Sequence, residues 1–166
     1  MITKLVIFLG IDPGTASVGF GVIKKENEDL KMLDFGVIRT YPSKKEAVRL
    51  GEIHKGLKKI IKKYKPDRVS VEDVYFYKNS KTAIKVGQAR GVILFTIEHC
   101  KKPYSDYTPL QVKQAVTGYG RAEKTQVRKM VQQILKLDDL PKPDDAADAL
   151  AIAICDIYSA KINKFK

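Results

Sequence analysis

An uncharged run rich in branched residues extends from Leu5 to Ile11 and stops at Asp12, the pattern of a strand buried on both faces in the middle of a sheet. Pro13 and Gly14 force a turn, and Val18, Phe20 and Val22 then alternate with small residues, predicting a second strand antiparallel to the first. Leu30 to Thr40 reads as a third strand of the same meander. Leu50, Ile53, Leu57, Ile60 and Tyr64 recur at spacings of three and four, predicting an amphipathic helix over 43–64, with Ser43 and Glu46 as its capping box. Pro66 stops that helix. In the short strand 67–72, Val69 and Val71 alternate with Ser70 and Glu72, and a strand reached through a helix runs parallel to its neighbour.

Asn79 is placed to cap a helix reaching Cys100, along which Ala83, Gly87 and Gly91 form a small-residue stripe at intervals of four. The stripe serves either close packing on the helix's own sheet or pairing with a symmetry mate. Residues 103–107 read as an edge strand because Pro103 would break an internal ladder, and Thr108 with Pro109 opens another helix. Val127 to Leu137 continues as a helix, Pro141 and Pro143 break the chain, and a last, unusually apolar helix opens at Asp144. The order predicts an α/β domain, a mixed five-stranded sheet flanked by helices, with residues 1–166 as one unit.

The acidic residues change what this scaffold is for. Asp12 alone allows three roles: a divalent-metal ligand, part of a phosphate cradle, or a cap on its own turn. A right-handed crossover brings Glu72 to the same carboxyl edge of the sheet, where open sheets place their ligands. Asp145 and Asp148 share one face in the first turn of the last helix, and Asp148 would lose hydration there unless something cationic met it. Asp156 lies roughly 16 Å further along that helix and is left out of the site. Four carboxylates and no softer ligand select Mg²⁺ or Mn²⁺, and such a set can hold two ions roughly 3.5 to 4 Å apart for phosphodiester hydrolysis.

Charge supplies a fitting partner, since 31 basic against 19 acidic residues leave a net +12 and a pI near 9.6, which favours a polyanion. The stretch Thr117–Gln126, with two glycines, Arg121 and Lys124, suits a phosphate backbone, or is an ordinary connection between helices. Lys58, Lys59, Lys62 and Lys63 belong to a solvated helix face. Cys100, Cys155, His54 and His99 show no metal spacing and read as structural. The N-terminal apolar run is too short for a signal peptide or a membrane span, so a cytoplasmic protein is expected. An actin-like ATPase also opens with strand, Asp and glycine turn, but its two lobes do not fit this length. The same residues are compatible with a DNA-binding module without catalysis and with a nuclease acting on RNA.

Taken in order, Gly-Ile-Asp-Pro-Gly (10–14), Val-Glu-Asp-Val-Tyr-Phe (71–76), Gly-Gln-Ala-Arg-Gly (87–91), Gln-Val-Lys-Gln (111–114), Ala-Glu-Lys-Thr-Gln-Val (122–127) and Asp-Ala-Ala-Asp-Ala-Leu-Ala (145–151) resemble the RuvC family of Holliday junction resolvases. The resemblance implies the ribonuclease H-like fold, with Asp12, Glu72, Asp145 and Asp148 as the metal-binding catalytic set. It implies DNA contacts from Lys113 and Lys124, and it places Tyr75 where the family has an aromatic, more often phenylalanine, that stacks on a junction base. It further implies a homodimer that nicks two opposed strands of a four-way DNA junction in recombination and repair, beside the RuvA and RuvB branch-migration proteins. Thr15 and Ala16 depart from the serine and arginine usual after the glycine.

Overall fold

The structure, a computed structural model, describes residues 5–74 and 79–162, with side chains described to residue 160. Five strands, β1 (Leu5–Asp12), β2 (Ser17–Glu26), β3 (Asp29–Arg39), β4 (Arg68–Glu72) and β5 (Tyr104–Tyr107), form one sheet in the order β3-β2-β1-β4-β5. The first three make the expected antiparallel meander. β4 lies parallel to β1 and β5 parallel to β4, at the edge where Pro103 placed it. Five helices complete the described chain: α1 (Glu46–Tyr64), α2 (Ser80–His99), α3 (Pro109–Thr117), α4 (Lys124–Leu135) and α5 (Asp144–Ile162).

Strand alternation divides the core. Leu9, Ile11, Val69 and Val71 face α1 and α2, where Ile53, Leu57, Ile93 and Ile97 close a fully dry layer. Phe8 and Ile23 face the other way, into a layer built from α3, α4 and α5. The last of these helices is enclosed almost completely, with every residue from Ala149 to Ile157 buried. Asp156 is among them, and Arg68 reaches it through Nε at 3.2 Å and Nη2 at 2.8 Å, while the Tyr107 hydroxyl donates at 2.8 Å. It thus belongs to a structural ion pair between α5 and β4, away from the other carboxylates, as its position along the helix predicted.

Three expectations need correction. Ser43 does not cap α1: residues 41–44 close their own turn, with Lys44 N donating to the Tyr41 carbonyl, and the helix starts at Glu46 with Lys45 in the cap position and no side-chain cap. α4 starts at Lys124 because Glu123 and Gln126 form a reciprocal capping box, so the connecting loop is shorter than Thr117–Gln126. It ends at Leu135, where Lys136 turns left-handed at φ 52°. The Ala83-Gly87-Gly91 stripe does not pack on the sheet, since a methyl added at Gly87 or Gly91 would meet nothing within 4 Å. The larger row Val86, Ala89, Ile93 and Ile97 takes the buried face instead. Asn79 and Thr108 cap α2 and α3 as predicted, contributing about 1 kcal/mol each.

Candidate metal centre

Three glycines let α5 lie directly on the sheet. A methyl at Gly10 would fall 2.1 Å from the Ala149 carbonyl oxygen, one at Gly19 2.0 Å from that of Asp145, and one at Gly21 2.8 Å from the Leu150 nitrogen. Gly10 and Gly21 are partners across β1 and β2, and Gly19 is the partner of Asp12. The helix meets this bare strip with Ala146, Ala149 and Ala153. Backbone therefore sits against backbone, and the first turn of α5 lands beside the end of β1.

The consequence is a cluster of carboxylates. One oxygen each from Asp12, Asp145 and Asp148 lies within 4.8 Å of the others. Glu72 is outside that trio but lines the same cleft, of about 510 Å³, together with Lys113, Lys124 and the 13–17 turn. Its strand register sets it there, since Ile11 pairs with Val71 and the next residues are Asp12 and Glu72. Lys124 points inward, its Nζ 3.2 Å from Asp148 Oδ2. Arg121 is exposed and is not part of the cleft wall, and Tyr75 lies outside the described residues. No sequence pattern singled out Ser17, whose hydroxyl donates to Asp145 Oδ2. Arg90 ties Asp73, one residue past Glu72, to Asp106 on β5.

Crowded acidic groups with little water raise one another's proton affinity. Burial, reinforced by Glu72, Asp148 and Asp145, pushes the Asp12 carboxyl up to about 8, against a partial correction from Lys124. Burial and then Asp148 push Glu72 up to about 7, while Lys124 and Lys113 oppose. Asp148 is also raised, chiefly by burial, and Lys124 beside it limits the rise. The two cleft lysines leave part of the negative charge uncompensated. An all-oxygen donor set with that surplus fits one or more hard divalent cations.

A stability prediction follows from the sign of these shifts. Folded Asp12 and Glu72 hold protons more tightly than the unfolded chain does, so what they contribute is complete below about pH 4 and declines as pH rises through about 7 and 8. Thermal unfolding in EDTA is expected to show a falling Tm across that window. Added Mg²⁺ is expected to raise Tm more at pH 8.5 than at pH 6, and an equal increment at both would contradict the cation reading.

Comparison with known proteins shows the family. The family described as crossover junction endodeoxyribonuclease RuvC matches residues 8–156. A protein of that name from Syntrophomonas wolfei subsp. wolfei is 52% identical over 157 residues, covering 95% of this chain and 91% of its own. Among solved structures, RuvC of Thermus thermophilus in complex with a Holliday junction substrate superposes with a TM-score of 0.90 at 36% identity, covering 95% of this chain and 96% of that one. The yeast mitochondrial Holliday junction resolvase Ydc2, 12% identical with a TM-score of 0.67 over 95% of this chain and 82% of its own, shares the fold. That fold is ribonuclease H-like. No described helix is long and apolar enough to cross a membrane.

Proposed function

The chain belongs to the RuvC family of crossover junction endodeoxyribonucleases, and from that premise we propose that Asp12, Glu72, Asp145 and Asp148 form a site for metal-dependent phosphodiester hydrolysis at four-way DNA junctions. The observation that carries this is the carboxylate trio within 4.8 Å, in a cleft that Lys113 and Lys124 also line. These four carboxylates would hold divalent magnesium, two ions with manganese able to replace them, which when bound would supply Lewis-acid help to the attacking water and the departing oxygen. Asp12, whose carboxyl is raised by all three of the other acidic groups, would be the central ligand.

The rest is work for the chain's own groups. Lys113 and Lys124 hold the scissile phosphate against the carboxylates, and Arg121 reaches the neighbouring backbone from the exposed turn. Tyr75 stacks on a base at the junction centre. Residues 1–166 act as one nuclease domain, in the cytoplasm, beside RuvA and RuvB. Incubation with a synthetic four-way junction, a linear duplex and a structured RNA tests the reading. Mg²⁺-dependent cleavage confined to the junction, leaving 5′-phosphate and 3′-hydroxyl ends, is expected. Cleavage of the RNA alone would make the protein a ribonuclease, and junction binding without cleavage would make it a non-catalytic binding module.

A homodimer completes the proposal. Ile84 and Phe95 are 63% and 61% exposed on α2, and Gly87 and Gly91 leave the surface between them open to another backbone. Two copies paired about a two-fold axis suit a two-fold substrate. A β-carbon added at Gly91 meets nothing within 4 Å and leucine is the better helix former, so in Gly91→Leu monomer stability is expected to hold within about 1 kcal/mol. Sedimentation velocity should nonetheless show the dimer dissociating at least tenfold more readily, and unchanged self-association would remove α2 from the interface.

A further inference from the structure

We propose that Arg49, together with Thr40, is a positioning residue for the nuclease site, acting on Asp145 through the 13–17 turn and Ser17; this rests on the junction-cleavage reading above. Arg49 sits on α1 with only 6% of its surface exposed, in the row that continues with Ile53, Leu57 and Ile61. Its nearest carboxylate, Glu46, is 3.7 Å away and itself partly exposed. The well-formed hydrogen bonds go elsewhere: Nη2 donates to the Thr15 carbonyl at 3.0 Å and Nε to Thr40 Oγ1 at 3.0 Å. Thr40 in turn donates its hydroxyl to the same Thr15 carbonyl at 2.6 Å and its backbone N–H to the Ala16 carbonyl at 2.9 Å.

Three of these four bonds end on two consecutive carbonyls of the turn that leaves Asp12, and the fourth ties Arg49 to Thr40, which makes two of the three. The next residue is Ser17, whose hydroxyl donates to Asp145 Oδ2. Hydrogen bonds to the 15–16 carbonyls, the backbone from there to Ser17 and the Ser17 hydroxyl thus connect a buried guanidinium to one carboxylate of the cluster. Burying an arginine for packing alone is unfavourable when an apolar side chain of similar volume would fill the row. Arginine's rigid fork, by contrast, addresses a carbonyl and a hydroxyl at once, which a lysine cannot do. Partners of this kind orient metal-ligating carboxylates, and losing them typically lowers metal affinity or activity by about 10- to 100-fold.

Thr40→Val, Thr40→Ser, Ser17→Ala and the double variant Thr40→Val/Ser17→Ala test the idea without emptying the arginine site. With the four-way junction as substrate, Thr40→Val and Ser17→Ala are each expected to lower kcat about tenfold, with junction affinity unchanged within about twofold. The double variant is expected to be no worse than either single one, because both cut the same connection. Thr40→Ser, which keeps the hydroxyl, should retain wild-type kcat. A Mn²⁺ titration of each protein without DNA, read by the electron paramagnetic resonance of the free ion, should show the same pattern in affinity. Losses that multiply in the double variant, or a Thr40→Val protein with lowered Tm but unaltered Mn²⁺ affinity and kcat, would overturn the proposal. Should the wild type fail to cut junctions, the nuclease reading falls, and the Mn²⁺ titration alone still decides whether the clamp orients Asp145.

Discussion

Asp12→Asn is expected to reduce junction cleavage by about a thousandfold or more while leaving junction binding within about threefold. Loss of a ligand at the centre of the cluster removes several kcal/mol of transition-state stabilisation, and each 1.4 kcal/mol is a factor of ten. Binding survives because phosphate contacts come from basic side chains, and one fewer carboxylate in the cleft does not weaken them. The same substitution carries an opposite expectation for stability. Asp12 is the group whose proton affinity rises most, to about 8, so a neutral amide of the same shape relieves repulsion in the metal-free protein. At pH 8.5 in EDTA the variant should melt above the wild type, and in excess Mg²⁺ that order should reverse. Cleavage retained in Asp12→Asn would sink the assignment of the site, and a lower Tm in EDTA would sink the electrostatic account of it.

Gly19→Ala is expected to damage the site from a position that carries no chemistry. Its new methyl would lie 2.0 Å from the Asp145 carbonyl oxygen, so the first turn of α5 must move outward. Overpacking of this kind costs about 1 to 3 kcal/mol in stability. A misplacement of about 1 Å at reacting groups costs on the order of 100-fold in rate. Both losses should appear together, with a higher Mg²⁺ requirement for cleavage. Gly51→Ala is the control, since nothing lies within 4 Å of its added methyl and α1 gains a better helix former. Gly19→Ala cleaving within about threefold of the wild type would show that α5 can retreat without disturbing Asp145 and Asp148.

Much of the fold is legible in the sequence because each strand and helix carries its own periodicity. The meander, the parallel crossover to β4 and the edge position of β5 follow from alternation, helix length and Pro103. The grouping of the acidic residues is legible for a related reason: Asp12 and Asp148 stand where an apolar element would not keep a carboxylate without a use for it, and the crossover to β4 brings Glu72 to the same edge. In sequence, Gly10, Gly19 and Gly21 are only small residues alternating with larger ones. Their purpose depends on a helix more than a hundred residues away, which no local pattern reveals. Arg49 escapes notice because an arginine on a lysine-rich helix resembles solvated surface. Its place four residues before Ile53, in the row of Leu57 and Ile61, is the available signal. Ser17 offers none, since its partner Asp145 is 128 residues away along the chain. Ser43 and Glu46 mislead for the converse reason, a good local capping motif overridden by the turn at 41–44.

The enclosure of α5 also sets the order in which the protein can become active. Asp12 and Glu72 are synthesised early, on strands that can pair as soon as they emerge, but the carboxylates of α5 come only after the rest of the described sheet. Contacts spanning 128 residues form late, because loop closure of that length must precede any reward from packing. A nascent chain arrested anywhere before residue 144 therefore lacks two of the four carboxylates and the helix that covers Phe8 and Ile23. Such a fragment has neither a closed core nor a complete carboxylate set, so folding and the assembly of the site are finished by the same last helix.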